Sequence, residues 1–190
     1  MLKWWHIFNG NNMMENIQTQ FETPGKDFVI THLYHAPCIL VWKTWTDPKQ
    51  LAQWFGPTVF TNRVDIDLRP GGSFHIVMVS PDGVDYPMGG IYLEITEPKK
   101  LVLKINCDEH PQEWHELVNK NRETKGTKLP EMIWTITFEE HSDKTTLTIR
   151  LQFTEVTDRD ALLKLGMREG WAESLDKLEN LLTHAKTNVS

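Results

Sequence analysis

The sequence predicts an α+β fold: a curved antiparallel sheet of about six to seven strands wrapped around a long C-terminal helix, with two short helices after the first strand. Three observations carry that prediction. Between residues 59 and 153, apolar residues recur with a period near two and are interrupted by Pro/Gly turns, the mark of half-buried strands joined by hairpins. The C-terminal segment alone carries a long helical stripe, Trp171, Leu175, Leu178 and Leu182. Ahead of the sheet, Pro37 and the pair Asp47-Pro48 are helix-start signals.

Residues 27–35 are rich in β-branched and aromatic side chains and stop at Ala36-Pro37, so they read as the first strand. Pro37 suits a first helical turn, and a short helix is expected over residues 38–46, with Trp42 and Trp45 on one face. Asp47 then reads as an N-cap, and Leu51, Trp54 and Phe55 form the stripe of a second short helix ended by Gly56-Pro57. Val64, Ile66 and Leu68 alternate with Asp65, Asp67 and Arg69. Arg69-Pro70-Gly71-Gly72 turns the chain into a strand over 73–79, and Ser80-Pro81-Asp82-Gly83 turns it again. The next strand, about 86–96, contains Gly89-Gly90. That pair predicts a bulge or sharp bend and leaves open which of Tyr92 and Leu93 faces inward. After a turn, Leu101, Leu103, Ile105 and Cys107 share a face.

Segment 108–130 is polar without a clear period and reads as a long loop insertion with room for a short helix from Pro111. Met132, Trp134, Ile136 and Phe138, then Leu147, Ile149, Leu151 and Phe153, supply two further strands. Thr157-Asp158-Arg159-Asp160 looks like a capping box opening the last helix. Inside that helix, Gly166 and Gly170 call for a kink or a close approach, since each is worth about 1 kcal/mol less than Ala. A meander whose concave apolar face needs a cover leaves only this helix long enough to provide it. A cavity between the two is a natural place for a small, mostly apolar ligand.

The 190 residues are expected to form one domain over 26–186, preceded by a poorly ordered arm, 1–25, within which Met13 or Met14 is a candidate start. A net charge of −6 argues against a nucleic-acid or anionic-membrane binder. No apolar run approaches the ~18–20 residues that span a bilayer. Cys38 and Cys107 form no CxxC pair. With no secretory signal, they read as reduced, buried thiols of a cytoplasmic protein. Eight tryptophans are a heavy investment in flat apolar surface and point to an aromatic interior.

Several segments, taken in order, resemble the bacterial single-domain homologues of the activator of the ninety-kilodalton heat-shock protein's ATPase. These belong to the START-like, or SRPBCC, superfamily. The matching segments are Ala36-Pro37 with Val41-Trp42; Thr46-Asp47-Pro48 with Leu51 and Gln53-Trp54-Phe55-Gly56-Pro57; and Asp67-Leu68-Arg69-Pro70-Gly71-Gly72-Ser73-Phe74. Pro81-Asp82-Gly83, Gly90-Ile91-Tyr92-Leu93-Glu94-Ile95, Thr135-Ile136-Thr137-Phe138 and Glu169-Gly170-Trp171 with Leu175-Asp176 and Leu178 continue the pattern. The resemblance implies a helix-grip fold over about 27–185 and binding of a hydrophobic compound in a cavity. Some members of the superfamily are enzymes, and chaperone contact is a further implied role. Where the family carries Arg and Asp flanking the aromatic of the first strand, this chain has His32 and His35.

Trp42, Trp45, Trp54, Trp134 and Trp171 face either a cavity or the core. The residues assigned to a ligand cavity are Trp54, Phe74, Ile76, Met78, Met88, Tyr92, Trp134, Phe138, Met167, Trp171 and Leu175. Trp54 is placed at the mouth, and Tyr92 and His75 are the polar groups able to orient a guest. Asp108, Glu109, His110, Glu113, His115 and Glu116 cluster, but His110 and His115 miss the i, i+4 spacing of helical metal ligands. They read as a solvated surface, with no metal assigned. No nucleophile elbow, P-loop or dinucleotide fingerprint occurs, so no cofactor and no catalytic residue is assigned. Glu94, His75, His32 and Tyr92 are the candidates an enzyme would have to use. The expected function is noncatalytic binding of a small hydrophobic molecule. The alternatives are a chaperone-related interaction module, with a chaperone or other protein as partner, and a cyclase- or hydrolase-type cavity enzyme. The oligomeric state is open, a homodimer included.

Overall fold

The structure is a computed structural model and describes residues 19–122 and 128–187. One antiparallel sheet holds eight strands: β1 (Thr19–Glu22), β2 (Asp27–Tyr34), β3 (Thr61–Ile66), β4 (Ser73–Val79), β5 (Asp85–Thr96), β6 (Lys100–Asn106), β7 (Met132–His141) and β8 (Lys144–Gln152). The helices are α1 (Cys38–Thr46), α2 (Pro48–Trp54), α3 (Gln112–Arg122), α4 (Val156–Lys164) and α5 (Met167–Thr187). The spatial order β1-β2-β8-β7-β6-β5-β4-β3 is a meander from β3 to β8, closed by β2 pairing with β8. The chain therefore has to travel from β2 to the far edge, and α1 and α2 make that journey. The two α5 residues Leu175 and Leu178 are wholly buried, as are Ile76, Ile105, Leu147 and Ile149 on the strands. Each such side chain contributes about 1.5–3 kcal/mol of burial. The fold class is the expected one, with one strand more than the upper expectation.

That extra strand corrects the reading of the N-terminal arm. Thr19–Glu22 is ordered by pairing with β2 from Thr19↔His32 to Glu22↔Val29. Phe21 stacks on Phe28 at 5.8 Å, and the Arg168 guanidinium lies over its ring at 4.8 Å. Four residues are too short a run for alternation to show in sequence. The candidate starts Met13 and Met14 lie outside the described residues.

Segment 108–130 holds the short helix it had room for, α3, and this helix is docked rather than free. Val118 and Leu129 are buried. The Arg122 guanidinium meets the Asp158 carboxylate of α4 at 2.7 Å, with Asp158 only 1% exposed. The expected single C-terminal helix is two. Gly166, at φ +91°, breaks it, since an L-residue there would be strained. The cap is Glu155 with Asp158, not Thr157: the two side chains and backbones bond reciprocally. Nothing in the structure explains Gly170, whose Cβ position faces open space.

Gly89-Gly90 is not the bulge. The register shift falls between Tyr92 and Glu94, where the β3–β4 loop bonds to β5 through Gly71 N–H to the Tyr92 carbonyl and Tyr92 N–H to the Gly72 carbonyl. Gly90 instead permits a close approach, because a Cβ there would overlap the Lys104 carbonyl oxygen. With no shift at Gly89-Gly90, alternation from Met88 runs through to Tyr92 and settles the open question: Tyr92 points inward at 1% exposure and Leu93 outward at 45%.

Candidate functional site

The corner between α1 and α2 is built by Asp47, whose Oδ1 accepts from Lys49 N–H at 2.8 Å and Gln50 N–H at 3.1 Å. It brings Trp45 against Trp54, with ring centroids 4.7 Å apart. The Trp54 indole N–H donates to the Thr44 carbonyl at 2.9 Å, tying the two helices together. From α5, Trp171 stacks on Trp45 at 6.3 Å and meets Trp134 of β7 at 5.4 Å. Phe55 touches Trp54, Trp134 and Trp171, and Phe138 touches Trp42 and Trp45. The result is an aromatic compartment bounded by the sheet, α5 and the α1–α2 corner.

The residues assigned from sequence are largely gathered around it. Trp54, Phe74, Ile76, Met88, Tyr92, Trp134, Phe138, Trp171 and Leu175 are buried, and Met78 and Met167 are half-buried against the same core. Phe74 meets Tyr92 edge-on at 5.9 Å. Trp54 is not at a mouth. It is wholly buried and its polar atom is bonded to the protein, so it is a structural tie. Trp45 and Phe55 belong to the compartment and were left out of the assignment. Trp45 carried a signal in its spacing from Trp42; Phe55 carried none beyond its place in the α2 stripe.

A latch closes the α2–β3 loop over α5. Thr58 N–H donates to Glu173 at 2.7 Å, and the Ser174 hydroxyl, which donates to the Gly170 carbonyl of its own helix at 2.7 Å, lies 3.2 Å from the Gly56 carbonyl. The Lys177 ammonium donates to the Phe55 and Pro57 carbonyls at 3.3 and 3.4 Å. Burial lowers the Lys177 pKa, with Glu173 opposing.

Of the candidate catalytic groups, Glu94, His75 and Tyr92 are not brought together. Glu94 is exposed and paired with Lys100 at 2.9 Å, and that hydrogen bond holds its carboxyl below the usual range. His75 alternates with the inward Phe74 and Ile76, so it lies on the outer face. Tyr92 faces inward as a neutral phenol, its pKa raised by burial. A half-open hollow of about 650 Å3 lies elsewhere, beside Cys38, Pro98 and Phe138 and rimmed by Glu94, Lys100 and Glu140. Its mixed charges suit water rather than an apolar guest.

The acidic–histidine cluster of 108–116 is not wholly solvated. His110 is buried, with Nδ1–H donating to the Pro87 carbonyl at 2.9 Å and its ring 4.4 Å from Trp114. Burial lowers its pKa from 6.5 to about 4. The unfolded chain therefore binds the proton first as pH falls, so stability is full above about pH 6.5 and declines toward pH 4. Urea unfolding at pH 7 and pH 5 is expected to show a larger loss for the wild type than for His110→Gln. Equal losses would place the acid sensitivity elsewhere.

A family model described as "Activator of Hsp90 ATPase homolog 1-like protein" matches residues 35–183. The chain belongs to this family. Among solved structures, protein NE0264 from Nitrosomonas europaea is 28% identical with a TM-score of 0.69, covering 85% of this chain and 96% of that one. Protein Ms6760 from Mycobacterium smegmatis is 26% identical with a TM-score of 0.71, covering 86% and 94%. A protein from Arthrobacter aurescens is similar in fold, at 21% identity, a TM-score of 0.73 and coverage of 88% and 92%. No curated protein matches in sequence.

Against the family's first-strand pattern, His32 occupies a buried place in this chain. Its Nδ1 is hydrogen-bonded to the Thr19 hydroxyl at 2.6 Å, and its Nε2 lies 3.7 Å from Glu179. It thus ties β1 to β2 and sets its ring beside α5. Cys38 and Cys107 are free and buried. Burial pushes the Cys107 thiol up to about 12. Among the described residues, no helix is long and apolar enough to cross a membrane.

Proposed function

We propose that the protein binds a small hydrophobic molecule, without transforming it, between the sheet and α5. One observation carries this reading: six aromatic rings, Trp45, Trp54, Phe55, Trp134, Phe138 and Trp171, converge beneath a loop held by polar bonds. Aromatic walls offer a guest wide contact at low entropic loss. The latch of Glu173, Ser174 and Lys177 is exchangeable with water, so it is the part that opens. The rings then part and the guest replaces ring–ring contacts. At ~25 cal/mol per Å2, a few hundred Å2 of apolar area contributes several kcal/mol before ordering losses.

Native mass spectrometry of gently purified protein, followed by denaturing extraction, tests this. The expected result is one small, apolar molecule per chain. An empty chain that also fails to bind uncharged aromatic probes up to their solubility limit would overturn the reading. A second reading, a chaperone-related interaction module, is supported by the family itself and by Leu68, Ile91 and Leu93, exposed where the β3–β4 loop meets β5. Stimulation of a chaperone ATPase that is lost in Ile91→Asp and Leu93→Asp would favour it.

A further inference from the structure

Three polar atoms of the aromatic compartment have no hydrogen-bond partner: Tyr92 Oη, Trp45 Nε1 and Trp134 Nε1. Their residues are 1%, 2% and 3% exposed. A buried unpaired donor is unfavourable by about 1–3 kcal/mol, and native folds seldom leave three near one another. The same compartment satisfies its structural donors elsewhere, since the Trp54 N–H is bonded to Thr44.

Tyr92 and Trp134 share one face of the sheet, and Trp45 joins Trp134 through Trp171. Tyr92 lies opposite Leu103, and Leu103 opposite Trp134. Tyr92 and Trp134 thus rise from one face, two strands and about 10 Å apart. Trp134 and Trp45 both reach Trp171, at 5.4 and 6.3 Å. We propose that donors of this set, no more than two at a time, hold the carbonyl oxygen of an uncharged, mostly apolar ligand, such as an aromatic ketone, ester or amide. The proposal rests on the binding function above and names its ligand class.

The chemistry excludes the neighbouring classes. Indole N–H groups only donate, so the guest must bring an acceptor, and a carbonyl oxygen has two lone pairs to offer. A pure hydrocarbon would leave the donors stranded. A carboxylate would need a cation. The surrounding wall is Phe74, Ile76, Met88, Leu103, Ile136 and Phe138, and the latch cation Lys177 is engaged by two carbonyls. Burying an unpaired anion there is unfavourable by several kcal/mol.

Equilibrium dialysis with three probes of near-equal size tests the assignment: 2-acetylnaphthalene, 2-ethylnaphthalene and 2-naphthoate. The wild type is expected to bind the ketone about 3- to 10-fold more tightly than the ethyl compound, with naphthoate weakest. Tyr92→Phe and Trp134→Phe should each reduce that ketone preference, read as the ratio of the two affinities on the same variant. Equal affinity for ketone and ethyl compound, or a preference for naphthoate, would overturn the subsite while leaving the binding function standing. Binding of none of the three would overturn both. The wild-type ranking decides even where a variant fails to fold.

Discussion

Trp54→Ala is expected to lower the unfolding free energy by about 3–5 kcal/mol, the range for truncating a fully buried large aromatic. Two separate losses combine. The ring fills the corner between α1 and α2, in contact with Trp45 and Phe55, and its removal opens a cavity that these rigid neighbours close poorly. The indole N–H also satisfies the Thr44 carbonyl, which would be left unpaired within a buried segment. Trp54→Phe separates the two, keeping most of the volume and losing only the hydrogen bond, so it should fall by about 1–3 kcal/mol. Urea unfolding followed by circular dichroism measures both. A loss below about 1 kcal/mol in Trp54→Ala would mean that the corner collapses readily and would return Trp54 to the cavity mouth, where the sequence had placed it.

Arg122→Ala should be destabilising by about 3–5 kcal/mol, because it leaves Asp158 buried without its counter-ion. The pair is 2.7 Å apart, with Arg122 9% and Asp158 1% exposed. It differs from the other ion pairs of the chain, such as Arg63–Asp85, whose side chains are 61% and 47% exposed and which are worth about 0–1 kcal/mol. Asp158 also caps α4 by accepting from Glu155 N–H at 3.2 Å. Asp158→Asn keeps an oxygen at that cap while removing the charge. In the double variant Arg122→Ala/Asp158→Asn, the loss should be smaller than the sum of the single losses, since no isolated charge remains. Additive losses would show that the pair acts through packing alone. Because α3 has only Val118 as a fully buried apolar residue, it should be the first element whose amide protection falls in Arg122→Ala.

Much of the fold was legible because its signals are local. Strand period, the Asp47-Pro48 cap and the Pro/Gly turns each depend on a few adjacent residues, and β4, α1 and the β7–β8 hairpin appear where these signals put them. The failures share a cause. β1 exists through pairing with β2, and the docking of α3, whose start near Pro111 was expected, rests on Asp158 of α4, all set by distant chain. The α4–α5 break was announced by Gly166, but a glycine in a helical pattern does not say whether the helix bends or ends. Tyr92 was nominated as the inward polar group, yet its direction turned on whether the strand kept its register through Gly89-Gly90, which only the pairing with β4 and β6 shows.

By itself the sequence determined the class of fold, the inventory of rings destined for the interior and the helix that covers the sheet, since apolar periodicity dictates which faces must leave water. Only the tertiary structure decided which rings meet and which of their polar atoms stay unpaired. Trp54 and Trp134 are alike in sequence: each is an apolar residue on a buried stripe. One finds the Thr44 carbonyl across a tight helical corner, and the other faces a sheet and a helix that offer side chains and no acceptor. A hydrogen bond needs an acceptor within about 3 Å in the right direction, and only the packed chain sets that distance.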